Sequence, residues 1–142
     1  MTNEEYKYLN DNFTKLTIKC RLDGLNEYTR QNRGSYKYGA YTKRKNQARV
    51  MNFIDEQLRD VHFEKVKIHI VWHEQDKRRD TDNIAFAKKF IFDALVKCNV
   101  IPDDSMKYVL GFSDDFVINK SDPKVEVFIE DASDEEVLEL IK

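Results

Sequence analysis

Three aspartates stand out by type and spacing: Asp80 and Asp82, one residue apart, and Asp104 beyond a helix-length gap, with Asp103 beside it. In an extended chain, residues i and i+2 share a side, so Asp80 and Asp82 present two carboxylates together. Two like charges a few ångströms apart are unfavourable unless a cation neutralises them or one binds a proton. A chain returning through residues 99–105 could bring the third carboxylate back to the pair. Three hard oxygen ligands without a Cys/His cluster suit Mg²⁺ or Mn²⁺ rather than zinc. A divalent ion held this way polarises phosphate oxygens and generates hydroxide, the chemistry of phosphodiester hydrolysis. The plain alternative makes Asp80 a turn residue and Asp82 a helix cap, because Asp-x-Asp is common in loops.

These residues must be positioned by the elements around them. Val66–Trp72 alternates Val66, Ile68, Ile70 and Trp72 against Lys67, His69 and Val71, a strand pattern, and a polar turn follows it to Arg79. Ile84–Cys98 carries Ile84, Ala87, Ile91, Leu95 and Cys98 on one stripe and reads as a helix capped by Asp82 or Asn83. Lys15–Leu22 alternates as a further strand. Residues 23–40, with Gly24, Gly34, Gly39 and several Asn, Ser and Tyr, read as a long functional loop. Tyr41–Leu58 reads as a helix with Ala48, Met51, Ile54 and Leu58 on its buried side. Thr2 with Glu5, and Ser133 with Glu136, have capping-box spacing and predict short helices at each end, within residues 1–13 and 132–142. Short strands are predicted at Tyr108–Phe112, Phe116–Ile118 and Val125–Ile129. The expected fold is a single α+β domain over residues 1–142, helices packed on a mixed sheet.

Composition narrows the class. The chain has 142 residues, enough for one core and too few for two. Cys20 and Cys98 show no metal-binding spacing, so zinc and a disulfide framework are not expected and both read as buried thiols. No apolar stretch reaches a membrane span and the first residues are acidic, which points to no membrane partner and a cytoplasmic location. The formal net charge of -2 hides a segregation. Arg30, Arg33, Lys37, Lys43, Arg44, Lys45 and Arg49 fall in a stretch, 28–53, that has no acid, whereas 122–142 is strongly acidic. One basic working surface for a polyanion follows. Tyr28, Tyr36, Tyr38 and Tyr41 interleave with these cations, so phosphate contact and base stacking are both open to it. The alternative is a solvated charged face. His62, His69 and His73 are scattered and read as structural.

The ordered set Asp80-Thr81-Asp82-Asn83, Lys88-Lys89, Asp93-Ala94-Leu95, Val100-Ile101 and Asp103-Asp104 resembles the RusA family of Holliday junction endonucleases. The basic lead-in Arg78-Arg79 is similar too, and the core match covers residues 78–109. A looser likeness takes in Leu25-Asn26 and the Tyr-rich basic segment. The resemblance implies a Mg²⁺-dependent homodimer that resolves four-way DNA junctions by paired nicks, of a kind that phages often carry. It implies Asp80, Asp82 and Asp104 as metal-binding carboxylates, with Asp103 as a weaker neighbour. It also implies a catalytic lysine on the following helix: counting back from Asp93 gives Lys89, with Lys88 second. The stretch between Asn83 and Asp93 is about one turn longer than in the best-known members. Its DNA contacts would be Asn26, Arg30, Arg33, Lys37, Lys43, Arg44, Lys45, Arg78, Arg79 and Lys88. Competing readings are a branched-DNA-binding module without activity, an Asp-x-Asp phosphatase, and a plain structural domain.

Overall fold

A computed structural model describes residues 1–34 and 36–141. Thr2 starts the first helix, α1 (Asn3–Asn12), with the reciprocal bonds its spacing predicts: Thr2 Oγ1 accepts from the Glu5 N–H and Glu5 Oε2 from the Thr2 N–H, each at 3.1 Å. The first strand, β1 (Thr14–Ile18), is shorter than its alternating pattern. Its last pair is Ile18 with Val125, and beyond that point the opposite chain reaches Pro123, which has no N–H to offer. Leu22 is still buried, so the alternation reports packing after pairing has stopped.

Residues 25–34 and 36–40 are helical, which corrects the loop expected there. They form α2 (Leu25–Gly34) and the start of α3 (Tyr36–Gln57). Gly39 marks close packing rather than a turn: a Cβ there would lie 2.5 Å from Asn32 Oδ1, so the glycine lets α3 approach α2. The buried stripe of α3 also differs from expectation. It runs Thr42, Asn46, Val50, Ile54 at i, i+4 spacing, whereas Ala48 is exposed. Its polar start is satisfied internally, Thr42 Oγ1 donating to the Tyr38 carbonyl and Asn46 Nδ2 to the Thr42 carbonyl.

The remaining elements are β2 (Val66–Glu74), α4 (Thr81–Ala85), α5 (Lys88–Lys97), β3 (Val109–Ile118) and β4 (Lys124–Asp131). The helix expected over Ile84–Cys98 is therefore two helices. Phe86 and Ala87 stay right-handed, but the bonds Ala87 N–H to Ile84 and Lys89 N–H to Phe86 close i to i+3 turns that interrupt the α ladder. Asn99 ends α5 in the left-handed region (φ 59°), and the Val100 N–H bonds back to the Leu95 carbonyl. β3 is one strand, not two: Ser113, Asp114 and Asp115 stay in register with His69, Ile70 and Val71.

The sheet order is β1-β4-β2-β3, with β4 antiparallel to both neighbours and β2 parallel to β3. This is a single small α+β domain on a four-stranded mixed sheet. One face, with Leu16, Ile18, Ile68, Ile70, Trp72, Val127 and Ile129, buries the main core with Val50, Ile54, Phe90, Ile91 and Leu95 from α3 and α5. The other face is covered by α1, where Leu9 meets Val71 and Phe128. The C-terminal helix predicted from Ser133 is absent among the described residues. Both the Ser133 N–H and its hydroxyl turn back to Asp131 Oδ1, and Leu138, Leu140 and Ile141 stay exposed without a face to pack on.

Candidate active site

The segment after β2 is held by Arg79. Its guanidinium forks onto both Glu74 oxygens at 3.0 Å and donates to the Leu22 carbonyl at 3.3 Å, so this arginine is a strut beneath the motif. Asp80 occupies the cap position of α4 by backbone shape (φ -68°, ψ 153°), yet its side chain makes no capping bond. Asp82 lies in the first turn, where its Oδ1 accepts only from the adjacent Asn83 N–H at 3.0 Å. Both aspartates are exposed. Asn83 is buried, and its Oδ1 accepts from the Asn26 N–H at 2.8 Å. That bond pins the start of basic α2 to the aspartate motif. Gly24 makes it possible, since a Cβ there would lie 2.6 Å from Asn83 Oδ1 and 2.7 Å from its carbonyl oxygen.

Asp103 and Asp104 lie elsewhere. A cleft of about 550 Å³ at the exit of β2 is lined by Glu74, Asp76, Asp80, Ile84, Phe116 and Ile118. A second, of about 270 Å³, is lined by Lys43, Gln47, Asp93, Lys97, Asp103 and Asp104. The Asn119 N–H bonds to the Glu74 carbonyl at one end of β2, and the Val66 N–H to the Tyr108 carbonyl at the other. Asp80 follows the Glu74 end of β2, whereas Asp104 precedes the Tyr108 carbonyl that meets its Val66 end, and the two line separate clefts. Among the described residues, no group of three or more His, Cys, Asp or Glu is arranged to hold a metal ion. The convergence expected of Asp80, Asp82 and Asp104 does not occur within one chain, and its residues alone do not fit a three-carboxylate site.

The two lysines differ sharply. Lys88 turns inward to an ion pair with Asp114 Oδ2, its ammonium 4.0 Å from the Phe112 ring centroid, and Trp72 Nε1 donates to Asp114 Oδ1 at 2.8 Å. Lys89 is exposed. Asp93, four residues further along α5, is engaged by Gln47 at 3.0 Å and Lys43 at 3.6 Å. Sequence reasoning passed over Asp114; an acid among the apolar residues of a strand was the available signal.

The basic candidates share the α2–α3 surface only in part. Arg30, Arg33, Lys37 and Arg44 are exposed there. Lys45 is paired with Asp23 at 3.2 Å, and Arg78, whose side chain is 88% exposed, lies 3.6 Å from Asp76. The Asn26 side chain is on the surface while its main chain serves Asn83. Tyr38 and Tyr41 are exposed, whereas Tyr28 packs on Phe86 at 5.3 Å between centroids; the Tyr36 side chain lies outside the described set. Cys20 and Cys98 are free thiols, and burial raises both above the usual thiol range.

A second polar cluster lies on the α1 side of the sheet and was not anticipated. Glu126 is buried, accepting from Tyr6 Oη at 2.6 Å and Lys15 Nζ at 3.1 Å, with His73 Nε2 its closest contact. Asn119 Nδ2 donates to His73 Nδ1 at 3.2 Å, which leaves the Nε2 proton for Glu126. Burial works against the Glu126 charge, but the bonds from His73, Tyr6 and Lys15 outweigh it and hold the carboxyl down at about 2. Burial and the Glu126 carboxylate push the Tyr6 phenol up to about 12. His69 likewise bonds Ser113 and Glu130, both at 2.9 Å. Set against known proteins, the chain matches no family model and no characterised relative.

Proposed function

We propose that this protein is a divalent-metal-dependent endonuclease for branched DNA, resolving four-way junctions as a homodimer, with Mg²⁺ or Mn²⁺ as its ion. One observation carries the reading: the acids of this region are used in two different ways. Glu74 is claimed by Arg79, Asp93 by Lys43 and Gln47, and Asp114 by Lys88 and Trp72. The motif acids Asp80, Asp82, Asp103 and Asp104 enter no ion pair among the described residues and stay open to solvent. The bond from Asn83 to the first turn of α2 adds support, because it ties this motif to the exposed arginines expected to meet phosphates.

Each chain offers two acidic half-sites, so the reading requires a second copy, as the resemblance implies. Its test is a synthetic four-way junction incubated with Mg²⁺, linear duplex as control, and products mapped for symmetric nicks. Asp82→Asn should abolish cutting while melting and junction binding stay unchanged, since the side chain holds no structural partner beyond its neighbour's N–H. Full activity in that variant, or binding lost with cutting, refutes the assignment. The second reading, a junction-binding module without activity, is favoured by the separation of Asp80 from Asp104 and wins if the wild type binds junctions but never nicks them. A phosphatase is less well supported: its first Asp should close a buried strand, whereas Asp80 is exposed and follows a turn from Glu74.

A further inference from the structure

Pairing between β1 and β4 stops at Ile18 and Val125. The chain then leaves the sheet toward Arg79, whose guanidinium holds the Leu22 carbonyl at 3.3 Å. Between this departing segment and the ends of β2 and β4 the fold leaves a cavity of about 240 Å³. It is more enclosed than the cleft holding Asp80, and the two share Glu74, Arg79 and Ile84 as walls. Leu22, Trp72, Ile84, Ala87 and Val125, all buried, make its interior apolar. Its charged lining is lopsided, with Lys19, Arg21, Arg79 and Lys124 against Glu74 alone. Arg79 answers Glu74, Arg21 pairs with Glu27 at 3.0 Å, and Lys124 with Asp122 at 2.8 Å. Lys19 is exposed and enters no ion pair among the described residues.

An occupant must therefore be compact, apolar over most of its surface and anionic at one end. The volume falls below the roughly 300 Å³ at which drug-sized sites begin, so it admits one ring system rather than a length of chain. A nucleobase on its phosphate meets each condition. The ring fills the apolar interior beside the Trp72 indole, and the phosphate stays at the mouth with Lys19. Gln75, exposed at the same mouth, carries an amide donor and an acceptor suited to a base edge. We propose that this cavity is a nucleotide pocket, taking one unpaired base of the bound DNA strand while its phosphate rests on Lys19. The choice of a strand over a free nucleotide rests on the nuclease reading: a base seated here draws its neighbouring phosphodiester toward the adjoining cleft and Asp80. Extruding a base costs least where pairing is already broken, as at the crossing of a branched molecule.

Trp72 is the single tryptophan, so its emission reads the cavity directly. The protein is titrated without metal, so that cutting plays no part, with deoxynucleoside monophosphates, with inorganic phosphate, and with a four-way junction carrying photoreactive thiothymidine at the crossing. The expected result is a change in Trp72 emission with nucleotide and with junction but not with phosphate, and photocrosslinks within residues 19–22 or 72–75. Lys19→Glu, at an exposed position without an ion-pair partner, should weaken the nucleotide response at least tenfold with an unchanged circular dichroism spectrum. Cys20→Phe, which enlarges a half-buried side chain on the cavity wall, should abolish it. Should that variant misfold, Lys19→Glu decides alone. Silent Trp72 emission with both nucleotide and junction, an equal response to inorganic phosphate, or an undiminished response in folded Lys19→Glu overturns the pocket. A response to free nucleotide with crosslinks confined to residues 25–45 overturns the strand as its source. A junction cut in Mg²⁺ by a protein whose Trp72 stays silent overturns the pocket and leaves the nuclease reading standing; a seated base without any nick does the reverse.

Discussion

The buried Glu126 carboxyl, held down by His73, Tyr6 and Lys15, should make a large single contribution to the acid sensitivity of this protein. The group is held at about 2 against an ordinary 4.5, and a gap of that size corresponds to about 3 kcal/mol of stability at neutral pH. A carboxyl depressed in the folded state contributes fully above its unfolded value and loses that contribution as pH falls through the folded one. The contribution is therefore intact at pH 6, begins to fade near 4.5, and about 2 of the 3 kcal/mol is gone at pH 3. Glu126→Gln should melt roughly 10 °C lower at pH 7 and converge toward wild type as the pH drops. Urea titrations of both proteins at half-unit steps from pH 7 to 3 measure this, and other carboxylates cancel in the difference. Parallel stability curves between pH 5 and 3, or a variant as stable as wild type at pH 7, refute the reasoning. The same cluster sets an alkaline limb. Tyr6, raised to about 12, contributes below pH 10 and loses its contribution as pH climbs from 10 to 12, a step that Tyr6→Phe should remove.

Two further outcomes follow from contacts around the motif. Gly24→Ala drives a methyl to 2.7 Å from the Asn83 main-chain oxygen, which no rotamer change relieves, and should cost about 1–3 kcal/mol in urea denaturation; a cost below about 0.5 kcal/mol contradicts the packing described. Asp114→Asn keeps the acceptor for Trp72 but strands the Lys88 charge, at about 3 kcal/mol, and adding Lys88→Met should return most of it. Additive losses in the double variant would falsify the pairing.

The sequence was legible where local pattern and final packing agree. The Thr2–Glu5 box formed as spaced, and the period of two in Val66–Trp72 put its alternate residues on the two faces expected. It was misleading where residue type has two uses. Gly24 and Gly39 suggested a loop, but each serves a close approach, one to Asn83 and the other between helices. Residues 113–115 were read as a gap between two short strands, but the strand continues through them, with the Asp114 charge answered by part-buried Lys88 and the Trp72 indole N–H. The Ser133 box failed because a cap without an apolar face to bury does not make a helix. Spacing grouped Asp80 with Asp82, while the position of Asp104 depended on how the chain returns after α5, which places it in a separate cleft with Asp93 and Lys97 and which chain order alone does not reveal.

The strand order carries a consequence for how the molecule is made. β4 contributes the last strand in sequence yet sits between β1 and β2. Until residues 124–131 have left the ribosome, β1 has no strand beside it, and Leu16, Ile18, Ile68 and Ile70 lack the flanking side chains of Val125, Val127 and Ile129 on the same face. The nascent chain therefore carries apolar surface that β4 has yet to flank, and pairing a late, central strand with two neighbours distant in sequence should make folding slow compared with a helical protein of equal length.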